Sequence, residues 1–275
     1  MNDSNLLYLA VQAAIQAGQA IHHIYSNPNQ DIELIQKEDH TPLTLADRKA
    51  HQLIQGVLEK TGIPVLSEEG EHLPYAIRKT WNEVWIVDPL DGTKEFIKRN
   101  GEFTVNIALV RQHKPVLGVI YVPVSGDLYF ASSEWGGYKV TRMRGLGSIT
   151  SLEELLACAQ KLPLVQRTKE EYVVLASRSH LVDATQKYIE ELKRNHSNLC
   201  VVAMGSSLKM CRMAEGLADC YPRLYPTMEW DTAAGHALLR AVGLDVWTVH
   251  APVEPLQYNK EDLHNPWFVV KSHRQ

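Results

Sequence analysis

The chain has 275 residues, of which 45% are hydrophobic, so it is long enough to bury a sizeable core in one large domain or two. Its 28 basic and 32 acidic residues give a formal net charge of −4, which argues against nucleic-acid binding as the main role, because that role needs a basic surface. The four cysteines form no CxxC pair and no cluster with His, so we expect buried, reduced thiols of an intracellular protein. The sequence shows neither a secretion signal nor an apolar run long enough to span a bilayer, so we expect a cytoplasmic protein without a transmembrane segment.

The first part of the chain predicts helices followed by a largely antiparallel sheet. Apolar residues recur at three- and four-residue spacing over 4–25 and over roughly 44–60, which is typical of amphipathic helices. Strands are expected at 32–37, 63–66, 84–87, 103–111, 115–122 and 127–131. This pattern is α+β, and we place a domain boundary at Gly136-Gly137, which divides the chain into units 1–136 and 137–275.

The second part alternates strands and helices after an irregular segment. Residues 138–170 contain one helical pattern, near 151–159, and are otherwise expected to be irregular. Strands are predicted at 172–176, 199–203, 217–221 and 244–247, and helices at 181–192, 206–215 and 231–241. Such alternation favours a sheet flanked by helices, so the second part is predicted to be α/β.

Two carboxylates follow an apolar run in the middle of the first part. The run from Val84 to Val87 suits a buried strand, and Pro89 is expected to end it, because proline cannot donate to a strand ladder. Asp88 and Asp91 then lie where a strand opens into a loop, which is a common position for a catalytic group. Taken alone, the stretch is better interpreted as an ordinary turn, in which Asp and Gly are frequent for local reasons.

Other acidic residues stand at the ends or beginnings of other predicted elements and could converge with these two. They are Glu68, Glu69 and Asp231, whereas Asp47 alone suits the helix dipole at the start of the second helix. Clustered carboxylates are costly to bury unless a cation neutralises them. Oxygen ligands without His or Cys select Mg²⁺ or Mn²⁺ over zinc, and two such ions about 4 Å apart would clamp a phosphate and activate a water.

Spacing excludes two other interpretations of the Asp88 stretch. An EF-hand loop beginning there needs Gly at its sixth position and Glu at its twelfth, where this chain has Thr93 and Arg99. The haloacid-dehalogenase phosphatases place Asp-x-Asp after the strand, whereas this chain has Asp-x-x-Asp. The predicted helix starts at Gly92-Thr93 and Gly205-Ser206-Ser207 are candidate phosphate cradles, although each of them taken alone suits plain helix capping.

Four motifs in these regions resemble those of the inositol monophosphatase superfamily of Mg²⁺-dependent, lithium-sensitive phosphatases. In chain order they are Thr44-Leu-Ala-Asp47, Ser67-Glu68-Glu69, Trp85-Ile-Val-Asp88-Pro-Leu-Asp91-Gly-Thr93 and Trp230-Asp231-Thr-Ala-Ala-Gly235. Because the motifs spread over residues 44–235 in the same order as in the family, the resemblance is very specific.

Within the superfamily, the chain resembles the bacterial CysQ type, the 3'(2'),5'-bisphosphate nucleotidases. Inositol phosphatases usually have Thr-Asn-Phe after Asp-Gly-Thr, where this chain has Lys94-Glu95-Phe96. The other stretches that match are Gly101-Glu-Phe-Thr104, Ser177-Arg-Ser-His180, Gly205-Ser-Ser-Leu-Lys209 and Tyr221-Pro-Arg223. The resemblance covers nearly the whole chain, but the segment 138–170 departs from it.

The resemblance implies a fold, an activity and cofactors. The fold would be a layered αβαβα sandwich of the inositol monophosphatase/fructose-1,6-bisphosphatase type. The reaction would remove the 3'-phosphate of adenosine 3',5'-bisphosphate (PAP) to give AMP and phosphate, and action on the sulfated analogue PAPS, to give APS in sulfur assimilation, is left open. Two or three Mg²⁺ ions would be bound, with Mn²⁺ as a substitute. The partner would be a small nucleotide and not nucleic acid. A monomer or a homodimer, and a loose association with the inner face of the cell membrane, are both left open.

The resemblance also implies a role for individual residues. The metal ligands would be Glu68, Asp88, the Leu90 carbonyl, Asp91 and Asp231. Asp47 and Thr93 would position and deprotonate the attacking water, and Glu69 would assist. The substrate contacts would be Glu68, Leu90, Asp91, Gly92, Thr93 and Asp231 around the transferred phosphate, and His180, Ser206, Lys209 and Arg223 around the nucleotide and its 5'-phosphate.

Two other functions stay open. An inositol or sugar monophosphatase on the same scaffold is the nearest alternative, since it would use the same metal site. A metal-binding interaction protein that has lost catalysis belongs to a different class, and it is disfavoured because every expected acidic position is present.

Overall fold

Two amphipathic helices form the first layer of the molecule. The computed structural model describes residues 1–27, 33–36, 42–143, 149–165, 171–178 and 182–271. Helix α1 spans Asp3–Ser26 and α2 spans Leu45–Leu58, as the spacing of their apolar residues predicts. The two-residue strands β1 (Ile35–Gln36) and β2 (Pro42–Leu43) pair before α2. Of the strand predicted at 32–37, only 35–36 form a strand, and residues 32 and 37 lie outside the described ranges.

A seven-stranded sheet packs against these helices. Its strands, in spatial order, are β3 (Val65–Ser67), β4 (Glu83–Asp91), β5 (Thr104–Arg111), β6 (Lys114–Val122), β7 (Asp127–Ser132), β8 (Gly136–Val140) and β9 (Gln160–Lys161). Strand β3 runs parallel to β4, and every other pair in this sheet is antiparallel. The short helices α3 (Tyr75–Arg78) and α4 (Thr93–Ile97) flank β4 along the chain, and α5 (Leu152–Cys158) lies between β8 and β9.

Two expectations about this region are wrong, namely the irregular conformation of 138–170 and the end of a strand at Asp88-Pro89. The segment 138–170 is not wholly irregular around its helix, because β8 and β9 extend the large sheet through it. The predicted boundary at 136/137 falls inside β8, so the sheet continues beyond it, and the division into two units stays a prediction. Strand β4 also continues through Pro89 to Asp91 instead of ending at Asp88, which is possible because the strand pairing is irregular there.

A second sheet of five strands follows. Its spatial order is β11 (Leu199–Met204), β10 (Tyr172–Ser177), β12 (Cys220–Arg223), β16 (Phe268–Lys271) and β14 (Val246–Thr248), with parallel pairing among the first three strands and antiparallel pairing among the rest. The helices are α6 (Asp183–Asn195), α7 (Leu208–Ala214) and α8 (Glu229–Ala241), and β13 (Thr227–Met228) pairs with β15 (His264–Asn265). The predicted strands and helices of this half are therefore present, with ends shifted by a few residues.

Side-chain alternation along the strands shows how the layers stack. On β5, Ile107 packs toward α1 and α2, whereas Val110 faces the opposite cluster, which contains residues of α7, α8 and the second sheet. A third cluster joins Val174 of β10 to Ile189 of α6 on the outer face. Gly118 of β6 lets α8 approach closely, since a Cβ there would lie 2.5 Å from the Ala234 carbonyl oxygen. The order helices, sheet, helices, sheet, helix confirms the predicted αβαβα sandwich.

The cysteines and the lengths of the helices test two expectations that came from the composition. The four cysteines are free thiols, as predicted from their spacing, but only Cys211 and Cys220 are buried, whereas Cys200 is half-buried and Cys158 is exposed. Among the helices of the described ranges, none combines the length and the apolarity that a membrane crossing requires.

Candidate active site

A bulge in strand β4 aims two aspartates at the same place. In a regular strand, residues three apart point to opposite faces of the sheet. Here Asp88 pairs with Asn106 and Asp91 pairs with Thr104, so β4 carries one residue more than β5 between the two pairs. The extra residue reverses the alternation, and both carboxylates line one cavity.

A third aspartate reaches the cavity from the second half of the chain. Asp231 lies in the first turn of α8, and its Oδ2 accepts a hydrogen bond of 2.9 Å from the Met228 backbone N–H, which fixes the carboxylate at the helix start. Asp88, Asp91 and Asp231 each offer a carboxylate oxygen within 4.8 Å of the other two. Three oxygens at this spacing, with neither His nor Cys, suit a hard divalent cation.

The loop before α7 holds Asp91 from the other side of the cavity. The Oδ2 atom of Asp91 accepts from Ser206 Oγ at 2.7 Å, Ser207 N at 2.8 Å, Ser207 Oγ at 2.9 Å and Asn106 Nδ2 at 3.3 Å. Among the described residues, all the hydrogen bonds to this carboxylate fall on Oδ2. Its other oxygen, Oδ1, is therefore the one that suits a metal.

Asp47 and Thr93 form a pair beside the three aspartates. Asp47 is only 2% exposed, and its Oδ2 accepts hydrogen bonds from the backbone N–H and the hydroxyl of Thr44. Its Oδ1 accepts from Thr93 Oγ1 at 3.1 Å, and the same hydroxyl lies 3.4 Å from the Leu90 carbonyl oxygen. A hydroxyl and a carboxylate are thus joined at the point where α4 begins.

Burial and mutual repulsion disfavour the charged form of these carboxylates. Burial, followed by the neighbouring charges of Glu68, Asp91, Asp231 and Asp47, raises the pKa of Asp88 well above its ordinary value. Desolvation and then the charge of Asp91 raise the pKa of Asp231 to about 8. Desolvation raises the pKa of Asp47 to about 6, against the hydrogen bonds from Thr44. A bound cation would remove this repulsion, so the donor set fits the implied Mg²⁺.

The two glutamates of the second motif occupy different positions. Glu68 lines the cavity, and its charge contributes to the raised pKa of Asp88 and of Asp231, although it is outside the group of three aspartates. Glu69 is not among the cavity residues, but its charge contributes to the raised pKa of Asp47. The first glutamate is therefore closer to the metal position, and the second to the Asp47–Thr93 pair.

Two basic side chains line the same cavity. Lys209 is 3% exposed, and its Nζ donates to the carbonyl oxygens of Ser206 at 2.6 Å and Met204 at 3.1 Å. Desolvation and then the charge of Arg223 lower the pKa of Lys209 to about 8. The guanidinium of Arg223 lies 5.3 Å from the ring centre of Tyr225, and its buried Nε has no hydrogen-bond partner within the described ranges.

The cavity that collects these groups has a volume of about 650 Å³, which is the size of a typical small-molecule site.

The sequence model of the inositol monophosphatase family matches residues 2–273. The chain belongs to the inositol monophosphatase family. This confirms the family that the four motifs indicated.

Relatives within the inositol monophosphatase family are similar over almost the whole chain. The 3'(2'),5'-bisphosphate nucleotidase CysQ of Salmonella typhimurium is 42% identical over 96% of this chain and 99% of that protein. The protein of the same name from Escherichia coli K12 is 40% identical over 94% of this chain and 96% of its own length. The crystal structure of CysQ from Bacteroides thetaiotaomicron, a bacterial member of the family, is 50% identical and covers 99% of both chains with a TM-score of 0.91.

Most of the residues that the family resemblance implied lie together in the cavity. Those that line it are Glu68, Asp88, Leu90, Asp91, Gly92, Thr93, Ser206, Lys209, Arg223 and Asp231. Asp47 lies directly behind Thr93, and Glu69 acts on Asp47 through its charge. His180 lies outside the described residues.

Sequence reasoning missed the residues that hold the acidic ones in place. Asn106 and Ser207 both donate to Asp91, but Asn106 was not singled out, and Ser207 was considered only as part of a phosphate cradle. Ser207 lies inside a stretch that matches the CysQ type, and Asn106 lies next to another. These matches were the sequence feature that could have indicated both residues. The cavity also contains Tyr225 and His264, which no motif indicated.

Proposed function

We propose that this chain is a Mg²⁺-dependent 3'(2'),5'-bisphosphate nucleotidase, which hydrolyses the 3'-phosphate of PAP to give AMP and phosphate. The observation that carries the proposal is the presence of two charge regions in one cavity. The cluster Asp88, Asp91 and Asp231 suits a metal that would bind the phosphate to be removed. Lys209 and Arg223 suit a second phosphate, which an inositol monophosphate does not have. Relatives that are 40% and 42% identical carry the same enzyme name.

The metal site would be formed by carboxylate and carbonyl oxygens. We assign Glu68, Asp88, the Leu90 carbonyl, Asp91 and Asp231 as ligands. Bound Mg²⁺ would supply positive charge for the transferred phosphate and a lowered pKa for a coordinated water. Because the ions reverse the sign of the site, an acidic protein can bind a highly anionic nucleotide.

The Asp47–Thr93 pair would prepare the attacking water. Thr93 Oγ1 donates to Asp47 Oδ1, which leaves the lone pairs of the hydroxyl to orient a water molecule. Asp47, whose pKa is raised to about 6, is a suitable acceptor for the proton that the water loses near neutral pH. Glu69 would assist by its charge on Asp47. Phosphoryl transfer needs positioning and charge neutralisation more than a protein nucleophile, so this set is sufficient.

The residues proposed to contact the substrate differ in whether their polar atoms already have hydrogen-bond partners. The backbone of Gly92 and Thr93, at the start of α4, would hold the transferred phosphate together with Glu68, Leu90, Asp91 and Asp231. The hydroxyl of Ser206 and the ammonium of Lys209 already bond within the loop. Arg223, with its unpartnered Nε among the described residues, is therefore our main assignment for the 5'-phosphate, and His180 is proposed as a further nucleotide contact.

Several finer features belong to the proposal. We propose two or three Mg²⁺ ions, with Mn²⁺ as a substitute, inhibition by lithium, and action on PAPS in addition to PAP. We propose a cytoplasmic location; membrane fractionation would detect a loose association with the inner face of the cell membrane. Sedimentation would decide between a monomer and a homodimer.

The deciding experiment is phosphate release from PAP and from inositol 1-phosphate, measured side by side with Mg²⁺ titrated and lithium added. We expect kcat/KM for PAP to exceed that for the inositol ester by at least about 10-fold, the effect of one good charged contact. A preference for inositol 1-phosphate would favour the monophosphatase alternative. Release from neither substrate, with Mg²⁺ binding intact, would favour a metal-binding protein without catalysis.

Replacing Arg223 tests the assignment of the second phosphate. Arg223→Ala is expected to raise KM for PAP by about 10-fold, because a charge-assisted contact to the substrate is lost. Hydrolysis of p-nitrophenyl phosphate, which has one phosphate, should change much less. Arg212→Ala is the matched control, since Arg212 is also in the second half but pairs with Glu215 and does not line the cavity. Equal losses on both substrates would contradict the assignment.

A further inference from the structure

A glutamate outside the family's acidic motifs links the two halves of the chain beside the cavity. Glu102 lies in the turn before β5, and its Oε2 accepts from Arg178 Nε at 2.7 Å and its Oε1 from Arg178 Nη2 at 2.7 Å. The same Oε2 accepts from the backbone N–H of Gly205 at 2.8 Å. Arg178 Nη2 also donates to the carbonyl oxygen of Ala203 at 2.8 Å. We call Glu102 and Arg178, with these bonds, the Glu102 clasp.

The clasp fixes the beginning of the loop that holds Asp91. Gly205 has no space for a side chain, because a Cβ would lie 2.9 Å from both the Glu102 carbonyl oxygen and the Glu95 Cγ. Ser206 follows with a φ of 53°, in the left-handed region that a residue with a side chain adopts only under constraint. The bonds of Glu102 to Gly205 and to Arg178 provide that constraint from the side of the first sheet.

The next two residues of the loop carry the donors to Asp91. The hydroxyl of Ser206, the N–H of Ser207 and the hydroxyl of Ser207 all reach the Asp91 Oδ2 at 2.7–2.9 Å. Hydrogen bonds weaken steeply with a small misplacement, so a shift of the loop would weaken all three together. The carboxylate would then lose the orientation in which Oδ1 faces the metal position.

We propose that Glu102 and Arg178 are positioning residues that set the Mg²⁺ affinity of the site, by pressing the Gly205–Ser207 loop against Asp91. The inference rests on the proposed metal site, and neither residue touches the metal. Groups that orient a metal ligand commonly change metal affinity by about 10- to 100-fold when they are lost.

A role in the stability of the fold explains the Glu102 clasp less well than a role in positioning the Gly205–Ser207 loop does. The side chain of Arg178 is 47% exposed, and exposed ion pairs contribute little to the free energy of unfolding. This pair differs from an ordinary surface pair because Glu102 also accepts a hydrogen bond from the backbone N–H of Gly205. Gly205 belongs to the loop whose next two residues carry the three donors to Asp91. The geometry therefore points to positioning.

The test measures Mg²⁺ binding in the absence of any substrate. Wild type, Glu102→Gln and Arg178→Ala would be compared by calorimetric titration with MgCl₂ and by the rise of Tm that Mg²⁺ causes. We expect the Kd for Mg²⁺ to rise about 10-fold in Glu102→Gln, because the amide is neutral and its NH₂ group must face a donor, either Gly205 N–H or Arg178. The rise should be smaller in Arg178→Ala, because this variant keeps the carboxylate that accepts from Gly205 N–H. Arg178→Lys, which keeps one charged contact, should restore part of the affinity.

Asp3→Asn is the matched control. Asp3 accepts two hydrogen bonds from Arg111 at 2.6 and 2.7 Å, so it forms a partly exposed pair like the clasp, but it is not among the cavity residues. This variant should leave the Kd for Mg²⁺ unchanged. An unchanged Kd in Glu102→Gln, or an equal drop of Tm with and without Mg²⁺, would overturn the inference. Because no substrate is used, failure of the proposed nucleotidase activity would not affect this result.

Discussion

The acidic cluster of the cavity and the charged cluster at the end of α7 both bring acidic residues together, but only the second cluster balances their charge with basic side chains. At the end of α7, the buried Glu215 accepts from Lys139 at 2.6 Å, from Arg212 at 2.9 Å and from the hydroxyl of Tyr129 at 2.9 Å. Asp127 lies 3.6 Å from Lys139, so two acids face two bases.

The cavity cluster has no such balance. Within the described residues, no Lys or Arg forms a salt bridge with Asp88, Asp91 or Asp231, and the donors that reach them are neutral N–H and hydroxyl groups. Buried charges are stable when they are paired, and like charges at close range raise each other's pKa. We therefore infer that the cluster at α7 is complete as it stands, whereas the cavity cluster is completed by cations from solution.

The largest effect that we predict is the loss of catalysis when one aspartate of the cavity cluster is replaced. Asp88→Asn removes the aspartate on which the charges of four other acidic residues act, so the metal should bind weakly and in the wrong geometry. We expect kcat/KM for PAP to fall by at least about 10³-fold, or about 4 kcal/mol of transition-state stabilisation. Phosphate release at several Mg²⁺ concentrations measures this loss. Activity within about 10-fold of wild type would contradict the metal assignment.

Breaking the balanced cluster should change stability and leave catalysis intact. Glu215→Gln would leave Lys139 and Arg212 without their buried acid, which typically costs about 3 kcal/mol of the free energy of unfolding. Urea unfolding measures that loss, and phosphate release should be unchanged below the transition. An equal loss of Mg²⁺ affinity would show that the two clusters are not independent.

The difference between the clusters also shows how far the sequence could predict the site. The motifs around Asp47, Asp88 and Asp231 were identified from local spacing, the α+β and α/β halves from periodicity, and the layered sandwich from the family resemblance. Helical spacing offers Arg212 as a partner for Glu215, but the buried partner that distinguishes Glu215 from Glu68 lies far away along the chain. Lys139 and Glu215, for example, are 76 positions apart.

The same limit explains the features of the fold that the sequence did not predict. Pro89 suggested the end of a strand, but β4 continues because the bulge falls at that position and the pairing resumes at Asp91. The strand β8, which begins at Gly136-Gly137 and pairs with β7, had no signal in two successive glycines. The hydrogen bonds from Ser206 and Ser207 to Asp91 join residues that are 115 and 116 positions apart, so only the assembled sheets bring them together.

The smallest effect that we predict is a dependence of stability on pH that Mg²⁺ abolishes. The folded-state pKa of Asp231 is about 8 and that of Asp47 about 6, both above the ordinary value near 4, so the folded state binds these protons more tightly than the unfolded state. Their stabilising contribution is complete below about pH 4 and is lost as pH rises through 6 and 8.

Metal-free wild type should therefore lose stability between about pH 5 and pH 8.5 relative to Asp231→Asn, whose amide cannot ionise but can still accept from Met228. One unit of pKa shift corresponds to about 1.4 kcal/mol, so we expect the Tm of the variant to exceed that of wild type by at least about 2–4 °C at the upper pH. Saturating Mg²⁺ should reverse the order, because only wild type keeps its full set of ligands. Parallel pH profiles in the two proteins without metal would mean that Asp231 ionises freely, and the cavity cluster would then need no cation to balance it.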